Sequence, residues 1–173
     1  GYAIGGAFSI YPTGANVTLS HLTVTRNHAG WTGGGITIAA PASNVTIRAS
    51  IVADNTAANG GNPWNIGKNC DVGSPQMTNG GDVIEFPERN AGDGNDENCV
   101  AVPVVAQPLL GPPADHGGPV ETVPLLPGSP GVHGAVAGRR AAGGARGAAR
   151  PPGVGVRAGG SQGGGPSARC NRA

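Results

Sequence analysis

Two stretches of this chain are versions of one text. "GGAFSIYPTGANVTLSHLTVTRN" begins at Gly5 and "GGGITIAAPASNVTIRASIVADN" begins at Gly33, an offset of 28 residues without a gap. Gly5/Gly33, Gly6/Gly34, Asn16/Asn44, Val17/Val45, Thr18/Thr46, Val24/Val52 and Asn27/Asn55 are identical pairs. Phe8/Ile36, Ile10/Ile38 and Leu19/Ile47 keep apolar character. A repeat of this kind restricts the fold more than composition does. Such units bury their apolar faces only against their neighbours, so equivalent residues must stack.

Each repeat splits into three short pieces. In the second these are Ile36-Thr37-Ile38, Val45-Thr46-Ile47 and Ile51-Val52-Ala53. The alternation in the first two predicts strands with one face buried, and the Gly and Asn clusters between them predict turns. The 3.6-residue period of a helix is absent before the last 36 residues. Three strands per repeat predict an all-β solenoid whose coils lie about 4.8 Å apart. The interior stacks are then Phe8 over Ile36, Ile10 over Ile38, Val17 over Val45, Leu19 over Ile47 and Val24 over Val52. A flat β-sandwich explains the alternation but not the gap-free register. Asn27 and Asn55 fall at one turn, where their amides can bond in a ladder and their backbone can turn left-handed. The sequons Asn16-Val17-Thr18 and Asn44-Val45-Thr46 recur together, which favours a structural cause over glycosylation.

Composition supports this reading. The chain has 33 glycines, 16 prolines and 3% aromatic residues, which argues against an ordinary helical or α/β domain. Charge divides it. Residues 1–137 carry four basic and ten acidic side chains, and residues 138–173 carry seven arginines and no acid. Gly, Ala, Arg and Pro make up 29 of those last 36 residues. Such text cannot bury enough surface to offset its ordering entropy, so a disordered tail is expected. It has no aromatics for base stacking, so nonspecific polyanion binding is its natural behaviour and specific nucleic-acid recognition is not expected.

Cys70, Cys99 and Cys170 match no zinc spacing. Cys70 and Cys99 both lie in polar, loop-like text, which favours a disulfide worth roughly 3–4 kcal/mol on the chain-entropy model; free thiols are the alternative. No apolar run approaches the roughly 20 residues of a membrane span. The chain starts at Gly1 and its only methionine is Met77, so it reads as a piece of a longer reading frame.

The repeats, then "GKNCDVG", "GGDVIEFPERN", Cys99 and "PLLGPPADHGGPVETVPLLPGSP", resemble the choice-of-anchor Q proteins. The specific part is the last: Gln107 to Gly111, Ala114 to Pro119 and Leu125 to Pro130 follow the family's C-terminal signature, with Gln107 and His116 as departures. The resemblance covers roughly residues 5–136. It implies a bacterial secreted or cell-surface protein with a right-handed parallel β-helix similar to the pectin-lyase superfamily. The expected organisation is coils over 1–66, a loop insertion over 67–102 bounded by Cys70 and Cys99, a C-terminal cap over 103–137 and the tail over 138–173. Leu109, Leu110, Leu125 and Leu126 are expected to cover the apolar end of the last coil. The family continues past Pro130 in a way this chain does not, and a shifted reading frame is one explanation. Further β-helix coils of the same protein are expected upstream.

Carbohydrate-cleaving β-helices work with acids clustered on one outer face, joined in the lyases by an Arg or Lys. Within the repeats the only acid is Asp54, and Arg26 and Arg48 are not equivalent, so acid–base hydrolysis lacks its carboxylate pair. Asp115, His116 and Ser129 are triad residue types, but no GxSxG elbow surrounds Ser129. His21 and His28 find no histidine partner in the second repeat. Asp93, Asn95, Asp96 and Glu97 make an oxygen-rich Ca²⁺ candidate against the reading of a solvated acidic loop; no other cofactor is indicated. The function expected is a non-catalytic structural or adhesive segment, with cell-surface glycans or a host or neighbouring surface as partners. The alternative is the C-terminal part of a pectate-lyase-like polysaccharide lyase or hydrolase whose catalytic coils lie upstream.

Overall fold

The alternating pieces of both repeats are strands in the computed structural model, which describes residues 3–11, 14, 16–38, 44–64, 66–73 and 76–133. The first repeat supplies β1 (Phe8–Ile10), β2 (Val17–Ser20), β3 (Thr23–Thr25) and β4 (His28–Ala29). The second supplies β5 (Ile36–Ile38), β6 (Val45–Arg48), β7 (Ser50–Ala53) and β8 (Thr56–Ala57). Then come β9 (Cys70–Asp71), β10 (Thr78–Asn79), β11 (Val83–Phe86), β12 (Val104–Val105) and one helical turn, α1 (Pro130–His133). The fold is all-β, and among the described residues no helix is long and apolar enough to cross a membrane.

Three sheets have the orders β1-β5-β9, β2-β6-β10 and β3-β7-β11-β12, and β4 pairs with β8. Every one of these pairings is parallel. Phe8 lies opposite Ile36, Val17 opposite Val45, Val24 opposite Val52 and His28 opposite Thr56. The 28-residue offset read from the sequence is therefore the hydrogen-bonding register. Ile36, Val45, Ile47 and Val52 are fully buried, and Phe8, Ile10, Val17 and Leu19 pack half-buried on the same cluster. Burying one such aliphatic side chain contributes about 1.5–3 kcal/mol.

The corners explain the repeated glycines. A Cβ on Gly34 would sit 2.3 Å from the carbonyl oxygens of Lys68 and Thr56. One on Gly6 would sit 2.0 Å from that of Gly34. Backbone stacks directly on backbone there. The chain also bends left-handed at equivalent places: His21, Ala49 and Asp82 have φ of 58°, 47° and 57°, and Arg26 and Asp54 have 58° and 57°. The second bend falls one residue before the asparagines expected to make it. Asn27 and Asn55 serve through their amides instead.

The loop insertion expected over 67–102 is corrected: it contains β9, β10 and β11, a third set of strands. Ile36 pairs with Cys70 and Ile51 with Ile84, offsets of 34 and 33 in place of 28. The cause is the link from β8 to β9, residues 58–69, which is six residues longer than the link from β4 to β5, residues 30–35. Residues 97–105 then run along the edges of the sheets. Glu97 bridges Cys70 antiparallel, Val100 bridges Met77 parallel, and β12 pairs with β11. Asn79 Nδ2 donates to the Val102 carbonyl at 2.8 Å.

The chain divides into two compact units, 1–108 and a second that begins at Leu109, six residues later than the expected boundary at 103. In the second, Leu110 bridges Leu125 and Ala114 bridges Thr122, both antiparallel, and Leu126 N–H donates to the Leu109 carbonyl at 2.9 Å. The two leucine pairs are thus matched across one hairpin. The tail, 138–173, lies outside the described residues.

Candidate functional site

Glu85 occupies an interior position. Val24 pairs with Val52, and Val52 with Glu85, so a carboxylate stands third in a valine stack. It is 3% exposed. Its oxygens accept N–H bonds from Cys99 at 2.9 Å and Val100 at 3.2 Å. Burial pushes its pKa up to about 7, against the lowering pull of those two N–H groups. Glu85 therefore exchanges a proton near neutrality while anchoring the backbone that crosses the sheet edges. Sequence reasoning passed over it. The signal was a glutamate inside the apolar run Val83-Ile84-Glu85-Phe86.

Beside Glu85 opens a cleft lined by Lys68, Asn69, Glu88, Arg89, Asp96 and Glu97, among others. Lys68 Nζ and Asp96 Oδ2 pair at 2.6 Å, with Asp96 buried. Asp96 also accepts the backbone N–H groups of Lys68 at 3.2 Å and Asn90 at 2.7 Å. Glu97 Oε1 accepts those of Val72 and Gly73 at 3.0 and 2.9 Å. Asp93 accepts from Ile66 N–H at 2.9 Å and Asn95 N–H at 3.2 Å. Of the Ca²⁺ candidate residues, the three carboxylates accept from separate backbone donors. Among the described residues no three His, Cys, Asp or Glu side chains are grouped to hold a metal.

Cys70 and Cys99 form a disulfide across a separation of 29 residues, and both are fully buried. It fastens the crossing segment where Glu85 and Glu97 also hold it. The asparagine ladder runs through the interior. Asn27 Nδ2 donates to Asn55 Oδ1 at 2.9 Å, Asn55 Nδ2 to Asn69 Oδ1 at 3.0 Å, and Asn69 Nδ2 to the Phe86 carbonyl at 3.0 Å. The third rung comes from Asn69, at the head of β9, which the repeat did not mark.

The triad types lie apart in their bonding. Asp115 Oδ1 accepts Gly117 N–H at 2.7 Å, and Ser129 Oγ accepts Gly131 N–H at 3.2 Å. His116 Nδ1 contacts Thr122 Oγ1 and the Ala114 carbonyl, both at 3.0 Å. These are turn contacts and do not assemble a nucleophile with its base. His28 Nδ1 meets Thr56 Oγ1 at 3.0 Å.

The long link between β8 and β9 carries the other unusual surface. Asn59 N–H donates to the Trp31 carbonyl at 2.8 Å, and its Nδ2 donates to the Trp64 carbonyl. Trp31 is 38% and Trp64 58% exposed. Comparison of the chain with protein-family models, with curated proteins and with solved structures gave no match.

Proposed function

We propose that the chain is a non-catalytic structural or adhesive segment of a bacterial secreted or cell-surface protein, with its parallel sheets wound as a right-handed β-helix of the choice-of-anchor Q kind. The in-register parallel pairing of successive repeats carries this reading. A chain that returns to the same sheet, in the same direction, after each repeat winds as a coil. Parallel crossovers are right-handed in nearly all proteins, which sets the expected hand. The signature-like text from Gln107 to Pro130 supports the family reading. Glu85, Asp96 and Glu97 at the cleft hold backbone N–H groups, as a scaffold requires.

The test is incubation of the purified chain with polygalacturonate, alginate and xylan, followed by assay for new unsaturated or reducing ends. No release is expected. Release that scales with protein concentration would overturn the non-catalytic reading, and a crystal structure with left-handed winding would overturn the proposed hand.

A further inference from the structure

Tryptophan is usually well buried. This chain has two tryptophans, both exposed, and both have backbone carbonyls bonded to the single residue Asn59. Trp64 and Asn59 both lie on the link that is lengthened by six residues between β8 and β9. Insertions in repeat folds form loops on one face, which is often the binding face. The turn at Asn59 bends left-handed. Asn59, itself buried, has φ of 43°, and Gly60 and Gly61 follow at 63° and 105°. Here Asn59 makes both tryptophan contacts, and Gly60 N–H bonds the Gly30 carbonyl at 2.8 Å.

We propose that Trp31 and Trp64 form a binding platform for a neutral carbohydrate. This rests on the adhesive reading above and gives it a site. Exposed indoles offer flat apolar faces with a polar N–H, suited to ligands that are apolar on one side and hydroxylated on the other. Charge narrows the class. Residues 29–35 and 58–64 contain no charged side chain, the one charge in the 58–69 link, Lys68, is paired with Asp96, and residues 1–108 hold eight acids against four bases. The charged group bonded closest along the chain is Asp93, on Ile66 N–H. An anionic polymer such as polygalacturonate is repelled there, whereas an uncharged pyranose chain is not.

The experiment is affinity electrophoresis of the full, oxidised chain in gels containing mannan, laminarin or hydroxyethylcellulose, with polygalacturonate as anionic control. Intrinsic fluorescence is read in parallel, since every tryptophan signal comes from the site. Retardation by at least one neutral polymer with a shift in tryptophan emission is expected. Trp64→Ala should weaken it about tenfold or more, as for a buried aromatic anchor, and Trp64→Phe should keep most of it. Trp31→Ala tests the second face, and circular dichroism confirms that each variant folds. No retardation by any neutral polymer, equal retardation by polygalacturonate, or retardation unchanged in both alanine variants overturns the proposal. If the chain adheres to bacterial surfaces while those variants adhere equally, the platform fails and the adhesive reading survives.

Discussion

Glu85→Gln tests a carboxylate that folding drives toward its neutral form. In the unfolded chain the group titrates near its ordinary value of 4.5, and in the folded chain at about 7. The folded state therefore holds a proton more tightly between those values. Its contribution to stability is fully present below pH 4.5 and is lost as pH rises through 7. At about 1.36 kcal/mol per unit, the 2.5-unit difference corresponds to about 3 kcal/mol in full, of which about 2.5 kcal/mol falls between pH 5 and pH 8. Glutamine cannot titrate. It also turns an amide N–H₂ toward either Cys99 N–H or Val100 N–H, which costs about 1–3 kcal/mol at every pH. The assay is urea unfolding of both proteins with the disulfide intact, at steps from pH 5 to pH 8. The difference, wild type minus variant, cancels other titrations and should shrink by about 2.5 kcal/mol toward pH 8. Parallel curves, or a difference that grows with pH, would refute the assignment of Glu85 as a desolvated interior acid.

Replacing Cys70 and Cys99 together by alanine should lower stability by about 3–4 kcal/mol in the same unfolding assay and should raise hydrogen exchange first at the backbone amides of positions 99 and 100. Asn55→Ala removes the donor to Asn69 Oδ1 and the Val24 carbonyl and the acceptor of Asn27; a loss of roughly 2–4 kcal/mol is expected from the buried groups left unpaired, and a loss under about 0.5 kcal/mol would remove the ladder from the account. Gly34→Ala places a methyl 2.3 Å from two carbonyl oxygens, so it should fail to fold or melt far lower, whereas Gly14→Ala, with nothing within 4 Å but a φ of +87°, should lose only the roughly 1–2 kcal/mol of a left-handed residue.

The first two repeats were legible because nothing interrupts them. Stacked strands demand equivalent side chains at equal spacing, and Val17/Val45 or Val24/Val52 state that spacing directly. The third set was hidden by the six added residues before β9 and by its side chains. Cys70 stands where Ile36 stands above it, and Glu85 where Val52 does, so the apolar signature breaks where the register also shifts. The apolar run Val83-Ile84-Glu85-Phe86 was the remaining clue. Asp93, Asn95, Asp96 and Glu97 show oxygen donors in the sequence, but not the backbone amides that the three carboxylates face. The convergence of Trp31 and Trp64 was illegible for the same reason as the third strand set. Their spacing of 33 differs from 28 by part of the insertion, and Asn59, which draws them together, carries no mark of its role.

The parallel register at an offset of 28 underlies the fold, the interior and the proposed function. Backbone nuclear Overhauser effects measure it most directly. Contacts between amide and α protons should link Val17, Thr18 and Leu19 to Val45, Thr46 and Ile47 in ascending order, with the residue difference fixed at 28. Contacts in which one number falls as the other rises, as antiparallel strands of a sandwich produce, would contradict the account.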